Sequence, residues 1–130
     1  MSRQRYVVVP FDGMPTSGIL VYLVRVQLSL SQMPRKPVAI ASDHAGYPLK
    51  AELVDALHAL GYEVLDLGTD GRESVDYPDF GQAVADAVSS GRAERGVIVC
   101  GTGLGIAMAA NRVAGVRAAP CWNTTAARLA

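Results

Sequence analysis

Residues 96–112 read GVIVCGTGLGIAMAANR and decide the fold of the chain. The apolar run at their start predicts a short buried strand, which ends at Cys100. The largely apolar run from Leu104 to Arg112 predicts a helix. Between them, three glycines at alternate positions allow the chain to turn sharply and to direct main-chain N–H groups over the start of the helix. A strand that turns directly into a helix in this way is typical of α/β proteins.

The same alternation extends on both sides of this stretch. Other short apolar runs predict strands at residues 38–41, 62–67 and 116–119, and helical patterns are predicted to begin near residues 46, 78 and 124. Strands that alternate with helices pair in parallel, and helices cover both faces of the resulting sheet. The sequence therefore predicts an α/β fold, a Rossmann-like three-layer sandwich with a parallel sheet in the middle.

The first 36 residues do not fit this pattern. They carry a net charge of +4, whereas residues 37–130 carry −4, so the composition changes near Lys36. Residues 6–9 are apolar enough for a strand, but prolines and glycines interrupt the chain from Pro10 to Gly18. We therefore expect residues 1–36 to be a poorly ordered N-terminal extension and residues 37–130 to form the domain.

The charge, the hydrophobic segments and the cysteines of the chain indicate which partners and which cell compartment to expect. The 130-residue chain has twelve basic and twelve acidic residues, so it lacks the excess positive charge with which proteins bind nucleic acids and anionic membranes. Its most apolar N-terminal stretch, residues 19–30, is about half as long as a membrane-spanning helix and contains Arg25. Two cysteines form no disulfide framework in a chain of this class and are expected to be free thiols. We expect a cytoplasmic protein that binds neither nucleic acid nor membrane.

The polar residues converge on one edge of the predicted sheet. If the second and third predicted strands lie on either side of the first, ligands bind beyond the carboxyl ends of the first and third strands. Asp43 and His44 follow the first of these strands, and residues 100–103 follow the third. We expect the functional site between them.

Cys100 has three interpretations. The partial positive charge at the start of a helix favours a thiolate, so Cys100 could be a nucleophile or a base; it could also be a small buried apolar residue. Thr102 adds a hydroxyl, and the glycine N–H groups can hold an oxyanion, which suits proton abstraction beside a carbonyl. Binding of NAD is not expected, because the dinucleotide fingerprint needs a glycine at the position of Ile106 and an acidic residue about twenty positions later.

The neighbouring polar residues allow two interpretations each. Asp43 and His44 can be a helix N-cap with a solvated neighbour, or can bind an anion and sugar hydroxyls. Tyr77 can be a half-buried residue at a capped helix start, or can present its hydroxyl to the crevice. A metal site needs more ligands than Asp43 and His44 supply, and His58, the other histidine, is expected on a helix surface. We therefore expect no metal.

Six motifs together resemble the type B ribose-5-phosphate isomerase family. They are SDHAG at residues 42–46, GYEV at 61–64, DYP at 76–78, CGTGLG at 100–105, AANR at 109–112 and GVRAA at 115–119. Their order and spacing over residues 37–130 resemble the family and, less closely, the galactose-6-phosphate isomerase subunits. The resemblance implies reversible interconversion of ribose 5-phosphate and ribulose 5-phosphate, a step of the pentose phosphate pathway. It implies a cis-enediolate intermediate and neither a metal nor an organic cofactor.

The resemblance also implies a role for each site residue. Two would be catalytic: Cys100 as the base and Thr102 as a helper in ring opening. The residues that would bind the phosphorylated sugar are Asp43, His44, Tyr77, Gly101, Gly103, Leu104, Gly105 and Asn111. Among them, Asp43 would bind sugar hydroxyls, His44 the phosphate, and the main-chain amides of residues 101–105 the enediolate oxygens. The family implies a homodimer or a higher homo-oligomer, with each active site built from two subunits.

Two departures from the family keep alternatives open. The N-terminal extension has no counterpart, and the family continues beyond position 130 with a ring-opening histidine, an asparagine, a fifth strand and a helix with phosphate-binding arginines. We therefore expect a domain truncated at its C-terminus relative to the family, with the fourth predicted strand as an open sheet edge. The alternatives are a galactose-6-phosphate isomerase-like subunit, a truncated non-catalytic fragment that binds sugar phosphates, and a hydrolase with Cys100 as nucleophile and His44 as base.

Overall fold

The computed structural model describes residues 5–10 and 36–129. Within these residues the elements are, in chain order, β1 Arg5–Pro10, β2 Val38–Ser42, α1 Tyr47–Ala59, β3 Val64–Asp66, α2 Tyr77–Ser89, β4 Arg95–Val99, α3 Leu104–Asn111, β5 Val116–Cys121 and α4 Thr124–Leu129. From β2 onward, strands and helices alternate as the sequence predicts. None of the described helices is both long enough and apolar enough to cross a lipid bilayer.

The strands form one parallel sheet in the order β3-β2-β4-β1-β5. Strand β2 pairs with β3 on one side and with β4 on the other, so the prediction that the second and third strands flank the first is confirmed. Because all strands are parallel, their carboxyl ends lie at the same edge of the sheet. Strand β5 stands at one side of the described sheet, where an open edge is expected.

Strand β1 lies inside the sheet, between β4 and β5. Val7 pairs with Gly96 on β4 and with Ala118 on β5, and Val7 and Val9 are each 1% exposed. Arg5–Pro10 is therefore part of the domain, contrary to the expectation that residues 1–36 form an extension outside it. The physical reason is that the facing edges of β4 and β5 need hydrogen-bond partners, which an apolar strand supplies. Residues 1–4 and 11–35, which include the other prolines and glycines of this region, lie outside the described residues.

Helices cover both faces of the sheet, which confirms the three-layer sandwich. On one face, Val38 and Ile40 pack with the apolar stripe of α1 and with Ala127 of α4. On the other face, Ala39 and Ala41 pack with α2 and α3. Successive residues of β2 point to opposite faces, so one short apolar strand contributes to both halves of the core.

Helices α1 and α3 begin where β2 and β4 end, at the carboxyl edge of the sheet. Helix α1 follows Gly46, and helix α3 follows Gly103, whose φ of 75° lies in the left-handed region that glycine tolerates. Gly103 thus turns the chain from β4 directly into α3. The N-termini of both helices consequently face the edge where β2 and β4 end.

Candidate active site

The carboxyl ends of β2 and β4 lie side by side and are tied together. Ser42 and Val99 are the last paired residues, and the Asp43 N–H donates to the Val99 carbonyl oxygen over 3.1 Å. A Cβ atom on Gly46 would lie 2.6 Å from that oxygen, so the turn after β2 approaches β4 as closely as a glycine permits. The loops that begin at Asp43 and at Cys100 therefore start next to each other, as the topological argument predicts.

Cys100 directly follows β4, and its sulfur lies at the start of α3. The Sγ atom accepts the Gly103 N–H over 3.2 Å, in the partial positive field of the helix N-terminus. Cys100 is only 4% exposed and packs in the core between the sheet and helices α2 and α3. The thiol is thus buried, as one interpretation of the sequence expects, and the residue before it, Val99, is bonded to the Asp43 N–H. The next two residues, Gly101 and Thr102, are exposed.

Part of the hydrogen-bonding capacity of the glycine turn is already used. The Leu104 N–H donates to Thr102 Oγ1 over 3.3 Å, and the Gly103 N–H is bonded to the sulfur. Of the amides expected to hold an enediolate, those of Gly103 and Leu104 therefore have partners within the turn. The N–H of Gly105 belongs to the first turn of α3, where a helix offers no internal partner.

Asp43 and His44 are both held by main-chain amides. Asp43 is 7% exposed, and its Oδ1 accepts the Gly46 N–H over 2.8 Å, so its carboxylate supports the turn that precedes α1. The half-buried His44 accepts the Val75 N–H at Nδ1 over 3.2 Å. Both side chains are therefore fixed at the site edge.

Tyr77 is brought to the glycine turn by the start of α2. It is the first residue of that helix and is 42% exposed. A Cβ atom on Gly105 would come within 2.6 Å of the Tyr77 ring, so the ring lies against the first turn of α3. The structure thus places Tyr77 beside the residues expected to bind the substrate.

Asn111 lies at the opposite end of α3, which corrects its expected place in the site. Its Oδ1 accepts the Ala118 N–H over 2.9 Å, and its Nδ2 donates to the Ala118 carbonyl oxygen over 2.8 Å. Ala118 and Gly96 both pair with Val7, so they lie at the same height along the strands of the sheet. Gly96 precedes Cys100 by four residues, about 13 Å of strand. Asn111 therefore ties α3 to β5 and does not line the site.

Sequence reasoning missed an ion pair between the buried Lys50 and the partly exposed Asp66. Lys50 is 2% exposed, and its Nζ lies 2.6 Å and 2.9 Å from the two carboxylate oxygens of Asp66. Beside this pair is a cleft of about 260 Å³, lined by Tyr47, Lys50, Ala51, Val54, Asp55, Asp66 and Asp70. The cleft borders α1 and so lies on the other face of the sheet from Cys100. Nothing in the local sequence marks Lys50 as buried, because its burial follows from the packing of α1.

Sequence reasoning also missed the contribution of β1. A Cβ atom on Gly103 would lie 3.5 Å from both Cγ1 and the carbonyl oxygen of Val9. The end of β1 therefore packs against the turn that holds the Cys100 sulfur. This contact could not be found once Arg5–Pro10 was assigned to an extension.

Cys121 is a second free thiol, as predicted, and it lies in the other half of the core. Burial raises the pKa of the Cys121 thiol above its ordinary value, and a hydrogen bond with the Val9 main chain partly offsets that effect. Within residues 5–10 and 36–129, no three His, Cys, Asp or Glu side chains come close enough together to hold a metal ion.

Comparison with known proteins points to one family. The sequence profile described as ribose/galactose isomerase matches residues 38–130. The chain is 45% identical over 94 residues to ribose-5-phosphate isomerase B of Escherichia coli, which covers 72% of this chain and 63% of that protein. It is 42% identical over 93 residues to the galactose-6-phosphate isomerase subunit LacB of Clostridium acetobutylicum, which covers 72% of this chain and 54% of that protein.

The fold agrees with this relationship. It resembles the structure of ribose-5-phosphate isomerase B of Clostridium thermocellum with a TM-score of 0.71 and 59% identity, over 72% of this chain and 63% of that one. The chain thus spans less than two thirds of the length of these relatives. With well over half of its residues matched by the family profile, the chain belongs to the ribose/galactose isomerase family.

Proposed function

We propose that the chain catalyses an aldose–ketose isomerisation of a phosphorylated sugar, the interconversion of ribose 5-phosphate and ribulose 5-phosphate. The observation that carries this proposal is the Cys100 sulfur, which accepts the Gly103 N–H at the start of α3 in a chain of the ribose/galactose isomerase family. The turn that begins at Asp43 is bonded to Val99, the residue just before Cys100. A thiolate beside main-chain donors suits removal of a proton from the carbon next to a carbonyl.

In this mechanism Cys100 moves one proton between two carbons. The thiolate removes the proton from C2 of the open-chain aldose, and the C–H electron pair forms the C1–C2 double bond while negative charge develops on O1. The thiol then returns the proton to C1, and C2 becomes the carbonyl carbon as O2 loses its proton to O1. The intermediate is a cis-enediolate, so atoms and charge balance without another reactant.

The glycine turn supplies the donors for the developing charge. The Gly103 N–H orients the sulfur, and the Leu104 N–H orients the Thr102 hydroxyl. We assign the N–H groups of Gly101 and Gly105 to the enediolate oxygens. The exposed Thr102 hydroxyl assists opening of the sugar ring.

The remaining polar residues hold the ends of the sugar. Asp43 binds sugar hydroxyls through the carboxylate that its hydrogen bond to Gly46 keeps in place. His44 contacts the phosphate, and Tyr77 closes the site over Gly105. These are the roles that the family resemblance implies for Asp43, His44 and Tyr77.

We further propose that the chain acts as a homodimer in the cytoplasm, within the pentose phosphate pathway. Leu104 and Met108 lie one turn apart on α3 and are 56% and 70% exposed, beside the partly exposed Tyr77. Apolar side chains clustered next to an active site fit a second copy of the chain. Light scattering on the wild type and on Met108→Glu tests this, because a dimer through α3 dissociates in the variant and a monomeric wild type contradicts it.

A coupled assay tests the proposed reaction directly. The 130-residue chain is incubated with ribose 5-phosphate, and formation of ribulose 5-phosphate is followed. Turnover that saturates with substrate supports the proposal. Binding of ribose 5-phosphate by calorimetry with no turnover would instead favour a non-catalytic fragment that binds sugar phosphates.

The second candidate is isomerisation of galactose 6-phosphate. It is favoured by the 42% identity to a galactose-6-phosphate isomerase subunit and by the description of the family profile, which includes both sugars. Comparison of kcat/KM for the two substrates decides between them. A higher value for galactose 6-phosphate would replace the pentose proposal and leave the role of Cys100 intact.

A further inference from the structure

His44 is held by the main chain through one specific ring nitrogen. Its Nδ1 accepts the Val75 N–H over 3.2 Å. A ring nitrogen that accepts a hydrogen bond carries no hydrogen, so the hydrogen of the neutral ring is on Nε2. The donor lies 31 positions away along the chain, in the loop between β3 and α2.

The other end of the same loop is anchored next to His44. The Ser42 N–H donates to the Gly68 carbonyl oxygen over 2.8 Å, and the Thr69 N–H donates to the Ser42 carbonyl oxygen over 2.9 Å. The loop therefore begins against the end of β2 and returns to the His44 ring at Val75. Both of its ends are fixed to the segment that carries His44.

The ion pair of Lys50 with Asp66 strengthens the first anchor. Asp66 Oδ1 accepts the Gly68 N–H over 2.9 Å, and the same carboxylate binds Lys50 Nζ. The side chain of Lys50 is 3% exposed and that of Asp66 is 40% exposed, so a buried ammonium group binds a carboxylate at the protein surface. Lys50, Asp66 and Gly68 thus form a chain of contacts that fixes the start of the loop.

We propose that Val75 is a positioning residue, whose N–H holds His44 in the Nε2–H tautomer so that His44 acts as a neutral hydrogen-bond donor to the substrate. This inference rests on the proposed function of the site. An imidazolium carries hydrogen on both nitrogens, so its Nδ1–H would face the Val75 N–H and the present bond would be lost. The loop thereby holds the ring through Nδ1 and aims Nε2–H.

The tautomer also limits the chemistry of His44. With Nδ1 bonded to Val75 and hydrogen on Nε2, the neutral ring has no free lone pair to accept a proton from the Cys100 thiol. His44 therefore does not serve as the base of a Cys-His hydrolase. It serves as a donor to a phosphate or sugar oxygen.

Nitrogen NMR tests the tautomer without reference to activity. The chain has only two histidines, so spectra of the ¹⁵N-labelled wild type and of His58→Gln assign the His44 ring. At a pH where the spectrum itself shows a neutral ring, we expect hydrogen on Nε2 and a ¹⁵N–¹⁵N coupling across the hydrogen bond from the Val75 amide to Nδ1. Hydrogen on Nδ1, or averaged signals of two tautomers without that coupling, would overturn the proposal.

Paired variants test the role of the amide and of the donor. Val75→Pro removes the N–H, whereas Val75→Ala keeps it. We expect averaged tautomers and a three- to tenfold loss of ribose 5-phosphate affinity only in the proline variant, about the effect of one hydrogen bond. If Val75→Pro does not fold, the coupling in the wild type alone decides.

At position 44, a glutamine amide nitrogen can take the place of Nε2, whereas that of asparagine cannot reach it. We expect His44→Gln to bind ribose 5-phosphate within tenfold of the wild type and His44→Asn to bind more weakly. Equal losses in both variants would contradict a neutral Nε2–H donor. If the chain shows the ¹⁵N–¹⁵N coupling but does not isomerise ribose 5-phosphate, the proposed function is wrong and this inference stands. If the chain is active but His44 carries its hydrogen on Nδ1, this inference is wrong and the proposed function stands.

Discussion

The Cys100 sulfur accepts the main-chain N–H of Gly103 over 3.2 Å, and Gly103 has a φ of 75°. The hydrogen bond that orients the thiol therefore depends on a backbone conformation that residues with a Cβ atom adopt at a cost of about 1–2 kcal/mol. The sequence pattern of alternating glycines is thus linked directly to the orientation of the proposed base.

Gly103→Ala is expected to lower the free energy of unfolding by about 1–2 kcal/mol and to reduce kcat at least tenfold, because the turn shifts away from the sulfur. Gly115→Ala is the matched control. Gly115 has a φ of 82° and no atom within 4 Å of an added Cβ, so it carries the same strain away from the site. Urea unfolding and turnover measure the two effects, and an equal loss of kcat in both variants would argue against the link.

Gly105→Ala is expected to displace Tyr77, because the added Cβ would lie 2.6 Å from the Tyr77 ring. We expect weaker substrate binding and a stability loss of about 1–3 kcal/mol from overpacking. Gly71→Ala is the control, since its added Cβ has nothing within 4 Å. In a Tyr77→Ala background the stability cost of Gly105→Ala should largely vanish; a cost that persists would mean that the ring is not the obstacle.

Strand β1 is expected to be essential for stability, because Arg5–Pro10 connects β4 to β5. Val7→Ala should cost about 2 kcal/mol in a residue that is 1% exposed, whereas Val54→Ala, on the less buried flank of α1, should cost less. Deletion of residues 1–32 should expose two strand edges and cause aggregation. A deletion variant that unfolds cooperatively at the wild-type midpoint would show that β1 is dispensable.

Cys121 is expected to make the protein less stable at alkaline pH. Its pKa is raised in the folded state above the ordinary value of 9.0, so above about pH 9 the unfolded chain binds fewer protons than the folded chain, and stability falls as pH rises through this range. Below the ordinary pKa of the thiol, Cys121 is protonated in both the folded and the unfolded chain, so it does not reduce the free energy of unfolding there. Urea unfolding between about pH 7 and pH 10 should show a smaller decline for Cys121→Ala than for the wild type; parallel declines would contradict this assignment.

The parts of the fold that the sequence predicts are those with local signals. The strand that ends at Cys100, the glycine turn and the helix that follows Gly103 are each encoded in neighbouring residues, and the site edge follows from parallel pairing. Strand β1 could not be placed in this way, because its position depends on the unpaired edges of β4 and β5. Prolines and glycines after an apolar run indicate where a strand ends, but they do not indicate whether that strand pairs with a sheet.

The candidate site was predictable to a similar extent. Asp43 is bonded to Val99 and Tyr77 lies against Gly105, on either side of the glycine turn, since the elements that carry them reach the same edge of the sheet. Asn111 was misplaced because a shared motif does not reveal that the helix carries its last residue away from the site. The contact of His44 with Val75 had no signal, because the donor is a main-chain amide far along the chain.

The proton-transfer role of Cys100 is tested most directly by Cys100→Ala, with Cys121→Ala as the matched loss of a buried thiol. The measurement is the initial rate of ribulose 5-phosphate formation at saturating ribose 5-phosphate, with binding followed by calorimetry. We predict that Cys100→Ala lowers kcat about a thousandfold and leaves affinity within a few-fold, while Cys121→Ala keeps most of the rate. A Cys100→Ala chain that binds the sugar and turns it over at the rate of Cys121→Ala would contradict the mechanism.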